Sequence, residues 1–204
     1  MLVMRQLDNF ADTHPIHTSR SDMNAFSSFC LRHLSKPKTD RIIYRLIRDL
    51  RPASIVEIGL HDGVRAGRIV QFASLTLGAP VRYTGIDLFE ERPNSATEML
   101  QLKLKGTYCQ LRAAGGNVRL IPGDPFAALA CNANELPNTD LLIISADQPQ
   151  QSLQAAWSYV PRMLHEGSVV LVETADVGNS VTGYQRLGLH DLAGHTRVEY
   201  RRAA

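Results

Sequence analysis

Two glycines four positions apart, Gly59 and Gly63, punctuate the stretch VEIGLHDG from Val56 to Gly63. Glycine accepts sharp backbone turns and lets main-chain N–H groups come close to a ligand where a strand gives way to a helix. A dinucleotide-binding fingerprint would have its further glycines at His61 and Val64, so two of the three are missing. A nicotinamide-dependent oxidoreductase therefore ranks behind other readings. Downstream, Asp147, Glu173 and Asp176 offer hard oxygen donors of the kind magnesium or calcium takes. The same acids can equally serve as caps and rim charges, and that reading, with no divalent metal, is preferred. Among histidines 61, 165, 190 and 195, His61 lies in the glycine loop itself. His61 and Asp147 are the candidates for catalytic proton handling; the other histidines qualify by residue type alone.

The elements that must position these groups alternate along the chain. SIVEI (54–58) is a short apolar run ended by Gly59, as expected of a buried parallel strand. A helix from about Val64 to Leu77 sets Ile69, Val70, Ala73 and Leu77 on one side, and VRYTGID (81–87) makes the next strand. Ser95 and Glu98 form a capping box for a helix bearing Met99, Leu100, Leu102 and Leu104. NVRLI (117–121), DLLIIS (140–145) and SVVLVE (168–173) read as three further strands. A helix with Leu153, Trp157, Val160 and Leu164 separates the last two. Upstream, Ser21 or Asp22 caps a helix with Met23, Phe26, Cys30 and Leu34, and Thr39 or Asp40 caps another with Ile42, Ile43, Leu46, Ile47 and Leu50. Near the end, GYQRLGLHDL reads as a helix and TRVEYRRAA as a strand.

Strands joined by helical crossovers predict a doubly wound α/β domain, a mostly parallel sheet of about six or seven strands with helices on both faces. Residues 51–204 form this domain, and residues 1–50 are an N-terminal arm and helices that pack on it. Ligands in such sheets bind beyond the carboxyl ends of the strands.

The 22 Lys and Arg against 20 Asp and Glu are scattered, and the formal charge is +2, which argues against a nucleic-acid partner. No apolar stretch suits a membrane span or a signal peptide. Three cysteines without CxxC spacing suit a reducing cytoplasm. A small-molecule substrate is the expected partner.

Glu57-Ile58-Gly59-x-x-x-Gly63 resembles motif I of the class I S-adenosylmethionine-dependent methyltransferases, with an acid two residues before the first glycine and His61 in place of the middle glycine. The resemblance runs from about Arg41 to Asp176 and is to the small-molecule O-methyltransferases, in divergent form. It implies a Rossmann-like methyltransferase fold, S-adenosylmethionine as cofactor and methyl transfer to a small-molecule acceptor. Within that pattern YTGIDLFEE makes Asp87, next to Leu88, the acid that accepts both ribose hydroxyls. LIPGDPFAAL makes Asp124 the partner of the adenine amino group and Phe126 a lining of the ring. Glu57, Gly59, His61, Gly63 and Asp147 complete the implied cofactor set. Structural alternatives stay open: a tight turn with no ligand at the glycines, a turn cap at Asp87, and a helix N-cap at Asp124 before Pro125.

Where many O-methyltransferases read Asp-Gly-Asp-His, this chain reads Ser145-Ala146-Asp147-Gln148. Catechol-type members join the second acid to an Asp-Asn pair to hold a divalent cation; here that place holds Glu173-Thr174 and then Asp176. With the histidine replaced by Gln148 no general base is evident, and holding an acceptor in line about 3 Å from the sulfonium carbon removes much of the barrier. The C-terminal segment is short of the family's antiparallel hairpin, which implies a sheet trimmed to six strands. Its exposed edge would suit a homodimer. A second reading is a methyltransferase-like protein that keeps the fold without catalysis and binds a nucleoside or a partner.

Overall fold

In the computed structural model, which describes residues 38–92, 102–175 and 181–192, the apolar runs become six strands. They are β1 (Ser54–Ile58), β2 (Arg82–Asp87), β3 (Asn117–Pro122), β4 (Leu141–Ile144), β5 (Val169–Ala175) and β6 (Val181–Leu187). The helices are α1 (Arg41–Leu50), α2 (Val64–Leu77), α3 (Leu104–Ala113), α4 (Pro125–Asn132) and α5 (Gln150–Ala156). The sheet order is β3-β2-β1-β4-β5-β6, parallel except for β6, which runs antiparallel to β5.

Alternation along each strand divides the core in two. Ile55, Tyr83, Leu141, Ile143 and Leu171 pack with Ile43 and Ile47 of α1, Ile69 and Phe72 of α2 and Leu111 of α3. Val56, Ile58, Ile86, Leu142, Ile144 and Val170 pack with Leu129 of α4, Ala156 of α5, Val160 and Met163. Both faces are thus covered, which is why β1 and β4 read as nearly unbroken apolar runs. Among the described residues no helix is long and apolar enough to cross a membrane.

Several local expectations need correction. The stretch GYQRLGLHDL is not a helix at its start: Gly183 to Leu187 belongs to β6, with Tyr184 opposite Glu173. Gly183 and Gly188 weaken a helix here, and the open edge of β5 supplies ladder partners that an aromatic residue suits. The helix expected to reach Leu164 stops at Ala156 and resumes as a 3₁₀ turn at Val160–Arg162, because Pro161 has no N–H to continue an α-helical ladder. Asp40 stands at the N-cap of α1 but makes no side-chain cap bond; its carboxylate instead accepts the Tyr184 hydroxyl at 3.1 Å. Leu102 is buried ahead of α3 rather than helical. The Ser95–Glu98 capping box with Met99 and Leu100, the Ser21 helix, the TRVEYRRAA strand and Asp176 lie outside the described residues.

From β1 the chain builds outward to β2 and β3, then crosses to the other side of β1 to lay down β4 and β5. The loops after β1 and β4 therefore part at the topological switch point, the crevice where open α/β sheets take ligands.

Candidate functional site

At the end of β1 the backbone turns through three left-handed residues: Gly59 at φ +84°, His61 at +50° and Gly63 at +77°. Gly59 N–H donates to the Ile86 carbonyl on β2 at 2.9 Å, and Gly63 N–H to the Leu60 carbonyl at 2.8 Å. A Cβ at Gly59 would meet the Gln148 amide nitrogen and would stand 2.7 Å from Ser145 Cβ. The glycine thus makes room for the loop after β4, and the two loops that flank the crevice touch there. Gly63 is the residue before α2.

Beneath this loop lies a group that sequence reasoning missed. Arg65, in the first turn of α2, is 7% exposed and uses all five of its N–H donors. Nε donates to Glu57 at 2.8 Å, Nη1 to Glu173 at 2.6 Å and Tyr184 at 3.1 Å, and Nη2 to Ser145 Oγ at 2.6 Å and the Gly59 carbonyl at 3.2 Å. One guanidinium therefore ties β1, β4, β5 and β6 to the glycine loop. Two buried carboxylates beside it outweigh the desolvation that opposes its charge, and its pKa rises. The other oxygen of Glu57, fully buried, accepts the Tyr83 hydroxyl at 2.6 Å. Ser145 also donates to the Gly59 carbonyl at 2.7 Å. The signal was present: Arg65 sits four and seven residues before Ile69 and Phe72, on the apolar stripe of α2, where a charge needs a buried partner.

His61 lies between two of the acids that the sequence singled out. Nδ1 is 3.3 Å from Asp147 and Nε2 is 3.2 Å from Glu173. These carboxylates, Asp147 first, raise the imidazole to about 9 against the opposing effect of burial. Burial pushes Asp147 and Glu173 upward, but His61 and, for Glu173, Arg65 and the Ala146 N–H at 3.0 Å outweigh it, leaving both acids near 2. At neutral pH His61 is a cation held by two anions. Of the oxygen donors considered for a metal, Glu173 is engaged by His61, Arg65, Tyr184 and Ala146, and Asp176 lies outside the described residues. Among the described residues no three His, Cys, Asp or Glu side chains are grouped to hold a metal ion.

At the end of β2, buried Asp87 receives the Leu60 N–H at 2.7 Å and the Phe89 N–H at 3.1 Å. Arg92 pairs with both of its oxygens, Nε at 2.7 Å to one and Nη2 to the other. Leu88, half-buried, opens the 3₁₀ turn between them. At the end of β3, Asp124 caps α4, accepting the Phe126 N–H at 3.0 Å and the Ala127 N–H at 3.3 Å. The Ser152 hydroxyl also donates to it and is the main reason its pKa falls. Phe126 is 43% exposed and lies 5.9 Å from the Tyr159 ring. His165 is away from this group, paired with Asp140, which itself receives the Ala53 and Ser54 N–H groups at the start of β1. Glu57, Gly59, His61, Gly63, Asp87, Asp147 and Glu173 thus lie in or against the loop after β1, while Asp124 and Phe126 lie beyond the end of β3.

No family model matches the chain, and no curated protein matches it in sequence. Solved structures do. An O-methyltransferase from Streptomyces achromogenes, TomG, involved in tomaymycin synthesis and solved with S-adenosylmethionine, is 18% identical over 88% of this chain and 77% of its own, with a TM-score of 0.51. An O-methyltransferase from Bacillus cereus, solved with S-adenosylhomocysteine, is 15% identical over 90% of this chain and 77% of its own, with a TM-score of 0.50. CmcI is 20% identical over 68% of this chain, with a TM-score of 0.46; the chain spans about half, 52%, of its length. The fold is accordingly the Rossmann-like fold of methyltransferases.

Proposed function

We propose that the chain binds S-adenosylmethionine at the β1/β4 crevice and transfers its methyl group to a small-molecule acceptor. The observation that carries this reading is the Gly59–Gly63 turn lying against a strand-end carboxylate, Asp87, which is fixed to that turn by the Leu60 N–H at 2.7 Å. A carboxylate pinned in this way, at the switch point of a methyltransferase-type sheet, suits a ribose diol. Residues that would hold the cofactor are Gly59, Gly63, Asp87 and Leu88, with Phe126 beside the adenine. Bound S-adenosylmethionine supplies an electrophilic methyl group on a sulfonium sulfur.

What this chain's own residues contribute is position and charge. His61 is already protonated at neutral pH, so it cannot accept a proton there. Arg65 and Glu57 hold the floor of the glycine loop, where His61 is paired with Asp147 and Glu173. Rate then comes from holding an acceptor in line.

The engagement of both His61 ring nitrogens by Asp147 and Glu173, which leaves no evident base, favours a second reading, a nucleoside-binding protein with this fold and no catalysis. Calorimetric titration with S-adenosylmethionine and S-adenosylhomocysteine, with NAD and ATP as controls, tests what both readings share. Binding of the adenosyl ligands alone, weakened roughly tenfold or more by Asp87→Ala, is expected. An unchanged constant in Asp87→Ala would remove the ribose assignment, and release of S-adenosylhomocysteine in the presence of an acceptor separates catalysis from binding.

A further inference from the structure

Counting hydrogen-bond sites on Asp87 exposes a conflict. A carboxylate has about four lone-pair positions. Two are taken by backbone N–H groups, Leu60 at 2.7 Å and Phe89 at 3.1 Å, which the turn itself fixes. The other two are taken by Arg92, whose Nε and Nη2 grip both oxygens. A ribose diol needs two positions, and among the described residues the partner of Asp87 able to leave by side-chain rotation is Arg92.

The chain is also shaped to return Arg92 to this place. Phe89, fully buried, adopts φ +50°, a conformation a bulky residue resists. The turn is closed by the Glu91 N–H to the Leu88 carbonyl at 3.0 Å and the Arg92 N–H to the Phe89 carbonyl at 3.2 Å. Arg92 then spans to the β1 loop, where Nη1 donates to the His61 carbonyl at 2.7 Å. One side chain, 26% exposed, therefore joins the two strand ends that would hold the nucleoside.

We infer that Arg92 is a latch on the nucleoside end of the crevice: it holds Asp87 and the His61 carbonyl, and a ribose reaches Asp87 only by displacing the guanidinium. This rests on the reading of Asp87 as the ribose acceptor. Arg92 thereby sets how strongly the site discriminates ligands with a vicinal diol, since the ion pair competes with the diol and with nothing else on the ligand. Its removal raises the fraction of protein whose carboxylate is free, and the apparent constant tightens in proportion.

The test compares dissociation constants of S-adenosylhomocysteine, adenosine and 2′,3′-dideoxyadenosine for the wild type, Arg92→Ala and Arg92→Gln, with melting curves to establish that each variant folds. Both variants should bind the two diol ligands roughly five- to tenfold more tightly, while dideoxyadenosine is unchanged. Equal constants in wild type and variants, or equal gains for diol and dideoxy ligands, overturn the latch and leave the adenosyl reading standing. Weaker binding in both variants also overturns it, because Arg92 would then support the ligand. Failure of wild type and variants alike to bind any adenosyl ligand overturns the functional reading and the latch with it.

Discussion

Arg65 Nη1 donates to Glu173 at 2.6 Å across 108 residues of chain, while its Nε donates to Glu57 at 2.8 Å. A single buried cation thus compensates two buried anions and joins the ends of β1 and β5 to the first turn of α2. Charges removed from water are tolerated only when paired and hydrogen-bonded. Arg65→Met should therefore lower unfolding free energy by roughly 3–5 kcal/mol, measured by chemical denaturation. Arg65→Lys should recover only part, because three ammonium donors cannot reproduce the five-donor fork. A loss below about 1 kcal/mol in Arg65→Met, the range of an exposed pair, would contradict the hub.

His61 should titrate near 9 rather than 6.5, followed by its ring signals in NMR, because Asp147 and then Glu173 hold its proton. Its folded pKa is raised, so its contribution to stability is complete below about 6.5 and is lost as pH climbs to about 9. Asp147 and Glu173, held near 2, contribute above about 4 and lose that contribution as pH falls toward 2. These are the same contacts seen from the partners' side, so Asp147→Asn should flatten the alkaline slope and lower the His61 midpoint together. A midpoint at 6.5 in the folded protein would sink the assignment.

Gly59 and Gly78 offer a matched comparison. Both have left-handed backbone, φ +84° and +73°, but a Cβ at Gly78 meets nothing within 4 Å, whereas at Gly59 it lies 2.7 Å from Ser145 Cβ. Gly78→Ala should cost about 1–2 kcal/mol from backbone strain alone. Gly59→Ala adds overpacking against the β4 loop, roughly 1–3 kcal/mol more. Thermal melts of the two variants check the difference, and equal losses would mean that the loops do not press on each other.

Asp124→Ala should destabilise by about 1 kcal/mol through loss of the α4 cap, and Asp124→Asn should restore most of it, since asparagine caps as well as aspartate. No loss in the alanine variant would leave the cap without energetic weight.

The parallel strands were legible because apolar runs at Ile55–Ile58 and Leu141–Ile144 are too short for helices and end in turn residues. The left-handed turn at Gly59 and Gly63 was legible because it depends on local residue types and spacing. Arg65 was legible only as a charge on the apolar stripe of its helix: its partners, Glu57, Ser145, Glu173 and Tyr184, are 8 to 119 positions away, and tertiary contact alone identifies them. β6 was misread because pairing with the open edge of β5, which outweighs local preference, is also long-range. Arg92 escaped notice for the opposite reason: it lies just five residues from Asp87, but a left-handed Phe89 is needed to turn it back.

The most direct test of the central claim is to titrate ¹⁵N-labelled protein with S-adenosylhomocysteine and follow the amides of Leu60, His61 and Phe89, which border the Asp87 carboxylate and the glycine turn. Saturable shifts concentrated at these amides, absent with NAD, are the predicted result. Saturable shifts confined to other parts of the chain, or none at any concentration, would contradict an adenosyl site at the β1/β4 crevice.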